Sequence, residues 1–422
     1  MNIIELTAVN KKNKSLTYSF SVSEELEQFF SNKDFIIEYP ESMEAVPDTI
    51  AAIPFVCNVL PIIWLTNSTL VIPELDKAFY ECVPEVKQGY QDMYPETELK
   101  GALKVGKIIP CEFKAVPQKS ALFYSGGVDS MASLYRHLKE KPILLSIWGS
   151  DIRFDNEQGW SVLQIALNEA AQVYSLQSVV IRSRFRDFDK ENELNKSFSK
   201  QLQTEYWYGI KHGLGIISHA AIYAYLYRIE TVYIAASNST TAGIERCASD
   251  PRTDNKIRFA DCRVVHDACE LTRQDKIELI VRSSRDKGTV LPLHVCWEKQ
   301  SGNNCCMCEK CYRTITGLVV ENVDPIDYGF LRVNATLPYM HERMVTMDSL
   351  ATITWTRLRN DTIKRQKILR KNRYWKDIKW IRRADFLTPG ALKMPITWRV
   401  RQRISKLKIT QAIKAVIRRR RK

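Results

Sequence analysis

The chain has 422 residues, of which 45% are hydrophobic and 26% charged, and its formal net charge is +14. This length and composition predict two or three folded domains and exclude a chain that is disordered throughout. Residues 351–422 hold 24 Lys and Arg against 3 Asp and Glu, so residues 1–350 carry about −7. The basic character is therefore a property of the C-terminal tail.

Residues 1–117 contain short runs in which apolar and polar side chains alternate, for example residues 15–22. Such alternation predicts strands, and we expect a small strand-rich N-terminal domain that ends at Pro117. Its role stays open between substrate positioning, contact with another subunit in a homo-oligomer, and cover for a sheet edge.

Residues 49–73 carry no charge, and their length could span a bilayer. Pro54, Pro61 and Asn58 interrupt the segment, and its Val, Ile and Thr content favours strands joined by turns. The start of the chain does not resemble a signal peptide, and eleven largely scattered cysteines suit a reducing compartment. We therefore expect a cytoplasmic protein.

Residues 119–130 predict a short buried strand that runs into a glycine turn and then a helix. Gly126 and Gly127 allow the backbone to approach an anion, while Ser125 and Ser130 add hydroxyl donors beside the free N–H groups of the helix start. A simple connecting turn is the alternative.

The order Ser-Gly-Gly-x-Asp-Ser at these positions resembles the signature of the PP-loop ATP pyrophosphatases, which activate a substrate oxygen as an adenylate. The resemblance implies an adenine nucleotide alpha-hydrolase-like fold with ATP bound at Ser125, Gly126, Gly127 and Ser130. It also implies that Asp129 helps to place the phosphates together with Mg²⁺. No Gly-Lys-Ser/Thr follows, so transfer of the terminal phosphate is not favoured.

From residue 118 to about 345, strand-like segments alternate with helical ones. This rhythm predicts an α/β domain with a doubly wound parallel sheet. Ligands of such sheets gather at the carboxyl ends of the strands, where Asp151 and Ser237 become further candidates for cofactor binding. Helix capping and ordinary loop roles are equally compatible with these two residues. The strand-like segments are residues 121–124, 143–148, 178–181 and 231–236.

Arg273 and Lys276 lie three residues apart and would share one face at the start of a helix. Cations at that place could neutralise pyrophosphate as it leaves, so both are candidate catalytic residues with Asp129. A solvated helix face is the alternative.

Cys296, Cys305, Cys308 and Cys311 form two consecutive Cys-x-x-Cys steps preceded by a more distant cysteine. Four thiolates suit tetrahedral zinc, and a site filled by four protein ligands is structural and not catalytic. Cys306 does not keep the two-residue step and is predicted to be a neighbour of the site. An iron–sulfur cluster and a set of buried thiols are the alternatives.

The cysteine spacing in segment 296–311, together with the turn at 125–130, resembles the 7-cyano-7-deazaguanine synthases (QueC) of queuosine biosynthesis. An apolar helix at 220–225 and a helix beginning near Asp275 and Lys276 extend the resemblance over about residues 119–325. It implies an ATP-dependent ligase that adenylates a small-molecule carboxylate, as these synthases do with a carboxy-deazaguanine, and passes the acyl group to a nitrogen donor such as ammonia. A PP-loop tRNA sulfur transferase and an ATP-controlled binding module are the alternatives.

Residues 346–422 read as a basic C-terminal extension. Basic residues interleave with aromatic ones, and Ile409, Ala412, Ile413, Val416 and Ile417 recur at helical spacing. A basic amphipathic helix of this kind fits an anionic membrane surface, a nucleic acid or an acidic protein, with binding through residues 351–422. The membrane alternative would make the protein membrane-peripheral.

Overall fold

The computed structural model describes residues 2–111, 114–240, 246–296, 298, 300–388 and 390–395. The chain divides into two compact units, Met1–Asn303 and Asn304–Lys422. This division lies at a different place from the predicted boundaries after residues 117 and 345.

The strands of the described residues belong to one mostly parallel sheet, which confirms the predicted α/β class. The four strands predicted between residues 121 and 236 are present as β6 to β9. The strands are β1 (Ile3–Lys12), β2 (Ser15–Val22), β3 (Ile36–Glu38), β4 (Thr69–Asp76), β5 (Ala102–Ile109), β6 (Val116–Phe123), β7 (Ile143–Trp148), β8 (Ser178–Ser183), β9 (Ile229–Ala235), β10 (Arg258–Phe259) and β11 (Cys262–Asp267).

The strand order is β10-β11-β9-β6-β7-β8-β3-β2-β1-β4-β5. The neighbours from β11 to β8 in this order are all parallel. The chain passes from β6 through β7 to β8 on one side of β6 and then returns to β9 on the other side. Strand order therefore reverses between β6 and β9, and open parallel sheets bind ligands at the carboxyl ends of strands near such a reversal.

The N-terminal strands extend this sheet and do not form one of their own. β3 pairs with β8 in antiparallel register, with Ile37 opposite Ser183. One hydrophobic core includes buried side chains from both parts of the sheet, such as Ile4 and Ile234. The N-terminal strands are therefore held to the parallel strands by both hydrogen bonds and apolar packing.

The expectation of strands joined by turns over residues 49–73 is wrong for most of that segment. Helices cover Asp48–Ala51 and Ile53–Thr66, and only the end of the segment is strand β4. Every side chain from Ile53 to Trp64 is buried, and all but Asn58 are apolar, so the run carries no periodicity that separates helix from strand. Pro54 lies in the first helical turn, where its missing N–H costs no hydrogen bond. Across the described residues, we found no helix with the length and apolar character needed to cross a membrane.

Local sequence explains where one helix of the first unit begins. The helix from Arg273 begins with a capping box, in which Thr272 and Asp275 exchange side-chain to backbone hydrogen bonds. A helix start near Asp275 and Lys276 is thereby confirmed, as is the apolar helix at 220–225. A π-helical turn covers Trp207–Lys211 and a 3₁₀ turn Leu138–Glu140. The α-helices are α1 (Glu24–Glu27), α2 (Asp48–Ala51), α3 (Ile53–Thr66), α4 (Lys77–Met93), α5 (Val128–His137), α6 (Glu157–Tyr174), α7 (Glu191–Leu202), α8 (His212–Ile217), α9 (Ala220–Tyr227), α10 (Pro251–Asp254) and α11 (Arg273–Lys287).

The second unit is helical over its described residues and includes part of the predicted basic extension. Trp355, Leu358 and Leu369 are buried, and the indole N–H of Trp355 donates to Glu309. The apolar stripe at 409–417 and the terminal Arg run lie outside the described residues. The α-helices are α12 (Glu309–Val320), α13 (Val333–Thr336), α14 (Met340–Met344), α15 (Thr352–Lys364), α16 (Gln366–Leu369) and α17 (Trp375–Ile378), with 3₁₀ turns at Leu337–Tyr339 and Lys379–Arg383.

Candidate functional site

The predicted glycine turn joins β6 to α5 at the carboxyl end of β6. Gly126 has φ +71°, a left-handed conformation that side chains with a Cβ rarely adopt, whereas Gly127 is extended and immediately precedes α5. The hydroxyl of Ser130 lies 3.3 Å from both the backbone nitrogen and the hydroxyl of Ser125. The four residues predicted to bind a cofactor here therefore form one compact turn at a helix start, with hydroxyl and N–H donors close together.

The three candidate catalytic residues meet in one ion-pair cluster. The two carboxylate oxygens of Asp129 lie 3.1 Å from the Lys276 ammonium and 3.1 Å from the Arg273 guanidinium. Their side chains are 18%, 1% and 10% exposed, respectively. Residues separated by more than 140 positions in sequence are thus brought together in a place where water screens their charges only partly.

Lys276 also connects two strand ends. Its ammonium donates to the backbone carbonyl of Ala236, which directly follows β9, as well as to Asp129 in α5, which follows β6. β6 and β9 are the neighbours between which strand order reverses. The cation is consequently fixed at the point of the sheet where a ligand is expected.

Asp151 and Ser237 lie where the sequence predicted, just after β7 and β9, and both are exposed. The turn after β7 is tight, because Gly149 has φ +113° and a Cβ at this position would lie 1.8 Å from the carbonyl oxygen of Ser183. The backbone carbonyl of Asp151 accepts a hydrogen bond from the Gln300 side chain. The structure thus places both residues at the carboxyl edge of the sheet.

Residues 291–296, 298 and 300–302, which we name the strap, include contacts with the loops that follow β6 and β7. The sequence interpretation did not predict these contacts. The backbone N–H of His294 donates to the carbonyl of Gly126 at 2.8 Å. The Gln300 carboxamide donates to Asp151 at 2.8 Å and accepts from the N–H of Arg153 at 2.9 Å. These contacts bridge more than 140 residues and leave no local pattern by which sequence could reveal them.

The four predicted metal ligands lie together and are buried. The Sγ atoms of Cys296, Cys305, Cys308 and Cys311 are all within 4.8 Å of one another. The Sγ atoms of Cys305 and Cys311 are 3.8 Å apart, which matches the edge of about 3.8 Å expected for tetrahedral Zn–S bonds of about 2.3 Å. The four thiols can therefore hold one metal ion such as zinc.

Local backbone hydrogen bonds support this arrangement. The N–H of Cys308 points at the sulfur of Cys305, at 3.2 Å, and the N–H of Cys311 points at the sulfur of Cys308, at 3.4 Å. Such donors stabilise thiolate charge around a metal. Cys306 is outside this ligand set, as predicted, and its thiol faces the carbonyl of Asn304 at 3.6 Å.

Three histidines of the first unit, His212, His219 and His266, are held in packed positions. Burial lowers the pKa of His212 and of His219 to about 4, so both rings are neutral near pH 7. His219 contacts the Ser183 hydroxyl at 2.8 Å, and His266 lies 2.8 Å from the buried carboxylate of Asp254. These contacts hold the rings within the fold and give none of them a role in the candidate site.

Comparisons of the chain with protein-family models, with curated proteins and with solved structures found no match.

Proposed function

We propose that this protein is a QueC-like ATP-dependent ligase whose parallel strands form a doubly wound nucleotide-binding sheet. In the proposed reaction a substrate carboxylate oxygen bonds to the α-phosphorus of ATP while the bond to the bridging oxygen breaks and pyrophosphate leaves. A nitrogen nucleophile then attacks the acyl carbon of the adenylate, loses a proton and displaces AMP.

The observation that carries the proposal is the meeting of Asp129, Arg273 and Lys276 beside the glycine turn. An anion in the turn would contact N–H and hydroxyl donors at the start of α5, the helix whose Asp129 holds the two cations. Preorganised donors and cations of this kind stabilise the charge that develops on a departing pyrophosphate. Their position at the reversal of strand order is where an open parallel sheet binds a nucleotide.

Each residue then has a role that its geometry allows. Ser125, Gly126, Gly127 and Ser130 would bind phosphate oxygens, with Asp151 and Ser237 at neighbouring strand ends available to the nucleoside or the acid. Arg273 and Lys276 would neutralise pyrophosphate, and Asp129 holds both cations in place. Mg²⁺, which accompanies ATP, supplies further charge neutralisation, and the Asp129 carboxylate is an oxygen ligand of the type that it prefers.

We assign zinc to the cysteine cluster as a structural metal. Four protein thiolates fill a tetrahedral coordination shell and leave no position for water or substrate. Cys296 lies two residues from His294, whose N–H holds Gly126. The metal would therefore stabilise the strap that supports the glycine turn.

The substrate class follows from the resemblance to the 7-cyano-7-deazaguanine synthases and stays a proposal. A carboxy-deazaguanine with ammonia as nitrogen donor is the first acid to test. The sequence before α9 lacks the Gly-Arg-Asn of this family. The same assay therefore also tests other carboxylic acids and other amines as substrates.

Five of the thiols outside the metal cluster do not favour sulfur transfer to tRNA. Burial raises the pKa of the Cys57, Cys82, Cys247, Cys262 and Cys269 thiols, to about 11 for Cys82 and about 12 for Cys247. A persulfide carrier needs an accessible thiolate, and these groups are protonated near pH 7.

The test is AMP and pyrophosphate formation by the purified full chain with ATP, Mg²⁺, ammonia and a panel of carboxylic acids that includes carboxy-deazaguanine, with mass spectrometry of the products. We expect AMP only with the correct acid. Lys276→Met should lower the rate of AMP formation by about 100-fold, because one charge-stabilising donor is lost. Arg282→Met, at an exposed position of the same helix, is the matched control and should keep the full rate. ATP binding without AMP formation from any acid in the panel would overturn the ligase and favour an ATP-controlled binding module.

A further inference from the structure

One face of α15 and α16 combines exposed aliphatic side chains with a high density of basic ones. The two helices follow each other with one intervening residue, Arg365, and backbone hydrogen bonds continue from Arg365 to Asp361 and from Leu369 to Arg365. They therefore act as one nearly continuous helix of four to five turns.

The inward face of this helix is already used by the second unit. Trp355, Leu358, Thr362 and Leu369 are buried and recur at helical spacing, and Arg365 pairs with Glu321. These contacts fix which side of the helix faces outward.

The outward face carries two isoleucines among lysines. Ile363 is 37% exposed and Ile368 is 58% exposed. Lys364, Lys367, Arg370 and Lys371 are exposed beside them. We name the exposed side chains at 363, 364, 367, 368, 370 and 371 the basic-aliphatic face.

Asp361, the one acidic residue of α15, lies 3.5 Å from the Lys364 ammonium. The stretch that follows it carries charge of one sign. Residues 362–376 contain seven Lys and Arg and no Asp or Glu, and residues 396–422 are also basic, with no acidic residue. A surface that is cationic and aliphatic at once fits a partner that is anionic on the outside and apolar just beneath, which describes a bilayer with acidic headgroups.

We propose that the basic-aliphatic face binds the surface of an anionic lipid bilayer. Lys364, Lys367, Arg370 and Lys371 pair with headgroup phosphates and carboxylates, while Ile363 and Ile368 enter the boundary between headgroups and acyl chains. The helix lies in the plane of the interface and does not span it.

A nucleic acid is the competing partner, but the aromatic side chains of this region are not exposed in the way that base stacking needs. Proteins that bind single strands present exposed aromatic side chains on which bases stack. In the described part of the tail, Trp355, Tyr374 and Phe386 are buried, and Trp380 is stacked on His341 with ring centroids 4.0 Å apart. Trp375 is partly buried, and the Arg382 guanidinium covers its ring at 4.8 Å from the centroid. Isoleucine offers a base no stacking surface, whereas it gains free energy from entry into a lipid interface.

The test is co-sedimentation of the purified full chain with vesicles of phosphatidylcholine alone and of phosphatidylcholine with 30% phosphatidylserine, at about 0.1 M salt. We expect strong preference for the anionic vesicles. Ile363→Ser with Ile368→Ser should lower the partition coefficient about tenfold, and Lys364→Gln with Lys367→Gln should lower it by more than tenfold, because each headgroup contact contributes about fivefold.

Two substitutions in the first unit serve as controls. Ile165→Ser removes an isoleucine that is 70% exposed, and Lys139→Gln removes an exposed lysine. Both should leave vesicle binding unchanged. All variants lie on the surface, so their thermal unfolding midpoints should match that of the parent chain.

Equal binding to neutral and anionic vesicles, or vesicle binding unaffected by the isoleucine pair, would overturn the proposal. A parallel titration with a 30-nucleotide RNA distinguishes the competing partner. Tight RNA binding that is lost with the lysine pair and kept with the isoleucine pair, without anionic vesicle binding, would assign the face to nucleic acid.

Discussion

Asp129 lies at the centre of the candidate site and contacts both of its cations. Its two carboxylate oxygens are each occupied by a cation from α11, and Lys276 is almost fully buried. The sequence predicted these three residues separately, from a turn signature and from a helix start. It could not give their distances, because those depend on α11 packing against α5 next to the sheet.

A second residue-scale cluster surrounds the imidazole of His137. His137, at the end of α5, lies 2.8 Å from Glu140 and 3.1 Å from Asp267, and its ring stacks on Tyr233. Burial alone would lower the pKa of His137, but the adjacent carboxylates of Asp267 and Glu140 outweigh it and raise the pKa. Burial of Asp267 is likewise outweighed by the adjacent His137 and by the hydrogen bond from Ser133, and its pKa is lowered. The cluster connects the end of the helix that starts at the glycine turn to β11.

We predict a stability contribution from His137 that is largest at mildly acidic pH. The raised pKa of His137 means that its contribution is fully present below its unfolded pKa of about 6.5 and is lost as pH rises through the folded value. The lowered pKa of Asp267 means that the carboxylate contribution is lost as pH falls below about 4. Urea denaturation should show His137→Gln less stable by roughly 1–3 kcal/mol near pH 6, with a smaller difference at pH 9. Lys139→Gln is the control, and a difference that grows with pH would contradict this assignment.

The metal assignment predicts different effects of substitution at Cys308 and at Cys306. Elemental analysis should find about one zinc per chain, and Cys308→Ser should lose the metal and lower the thermal midpoint, because metal binding contributes to folding free energy. Cys306→Ser should keep both, since the Cys306 thiol is outside the ligand set. Iron in place of zinc, or metal retained by the Cys308 variant, would contradict the assignment.

Among the elements, the strap contacts the loops after β6 and β7 that the proposed function uses. Its contacts reach the glycine turn through His294 and the loop after β7 through Gln300. Regular elements such as β6, β7, β9 and α11 were predictable from periodicity, capping and turn residues. The strap was not, because an irregular segment is held by backbone groups that every residue possesses.

Gln300→Ala should loosen the loop that carries Asp151. Gln300 makes three hydrogen bonds with residues 151–156. Its side chain donates to Asp151 and accepts from Arg153, and its backbone carbonyl accepts from Asn156. The substitution removes the two made by the carboxamide, so we expect about tenfold weaker binding of a non-hydrolysable ATP analogue, measured by calorimetry, for a loss of about 1.4 kcal/mol. Gln158→Ala, at an exposed position nearby, is the control. Unchanged affinity in the Gln300 variant would show that this loop does not contribute to nucleotide binding.

At the scale of the whole molecule, the chain divides near residue 303, and the predicted tail begins within the second unit. Helix α15 contributes buried Trp355 and Leu358, and Trp355 donates to Glu309 at the start of α12. The net charge of residues 351–422 predicted a separate extension. Charged side chains mark only the solvent-facing side of a helix, however, and give no information about its buried side. The same helix is basic outside and apolar inside, so composition alone could not show that it belongs to a fold.

Two truncations test which part of the tail belongs to the fold of the second unit. Deletion after residue 350 removes Trp355, Leu358 and Leu369, each fully buried and contributing roughly 1.5–3 kcal/mol of burial free energy, and should abolish cooperative unfolding of the second unit. Deletion after residue 395 keeps these side chains and should leave the calorimetric transition of this unit close to that of the full chain. Equal loss of the transition in both variants would contradict this account.

The sequence by itself determined the α/β class, the four central strands, the glycine turn and the identity of the four clustered cysteines. Each of these depends on side-chain periodicity, on a conformation that favours glycine, or on ligand spacing along a short segment. Tertiary structure alone decided that the N-terminal strands join the same sheet, that residues 53–66 are a buried helix, and that Asp129, Arg273 and Lys276 meet. These outcomes depend on packing between segments far apart in the chain, where burial on all sides removes periodicity and where contact distances are set by the sheet and not by local sequence.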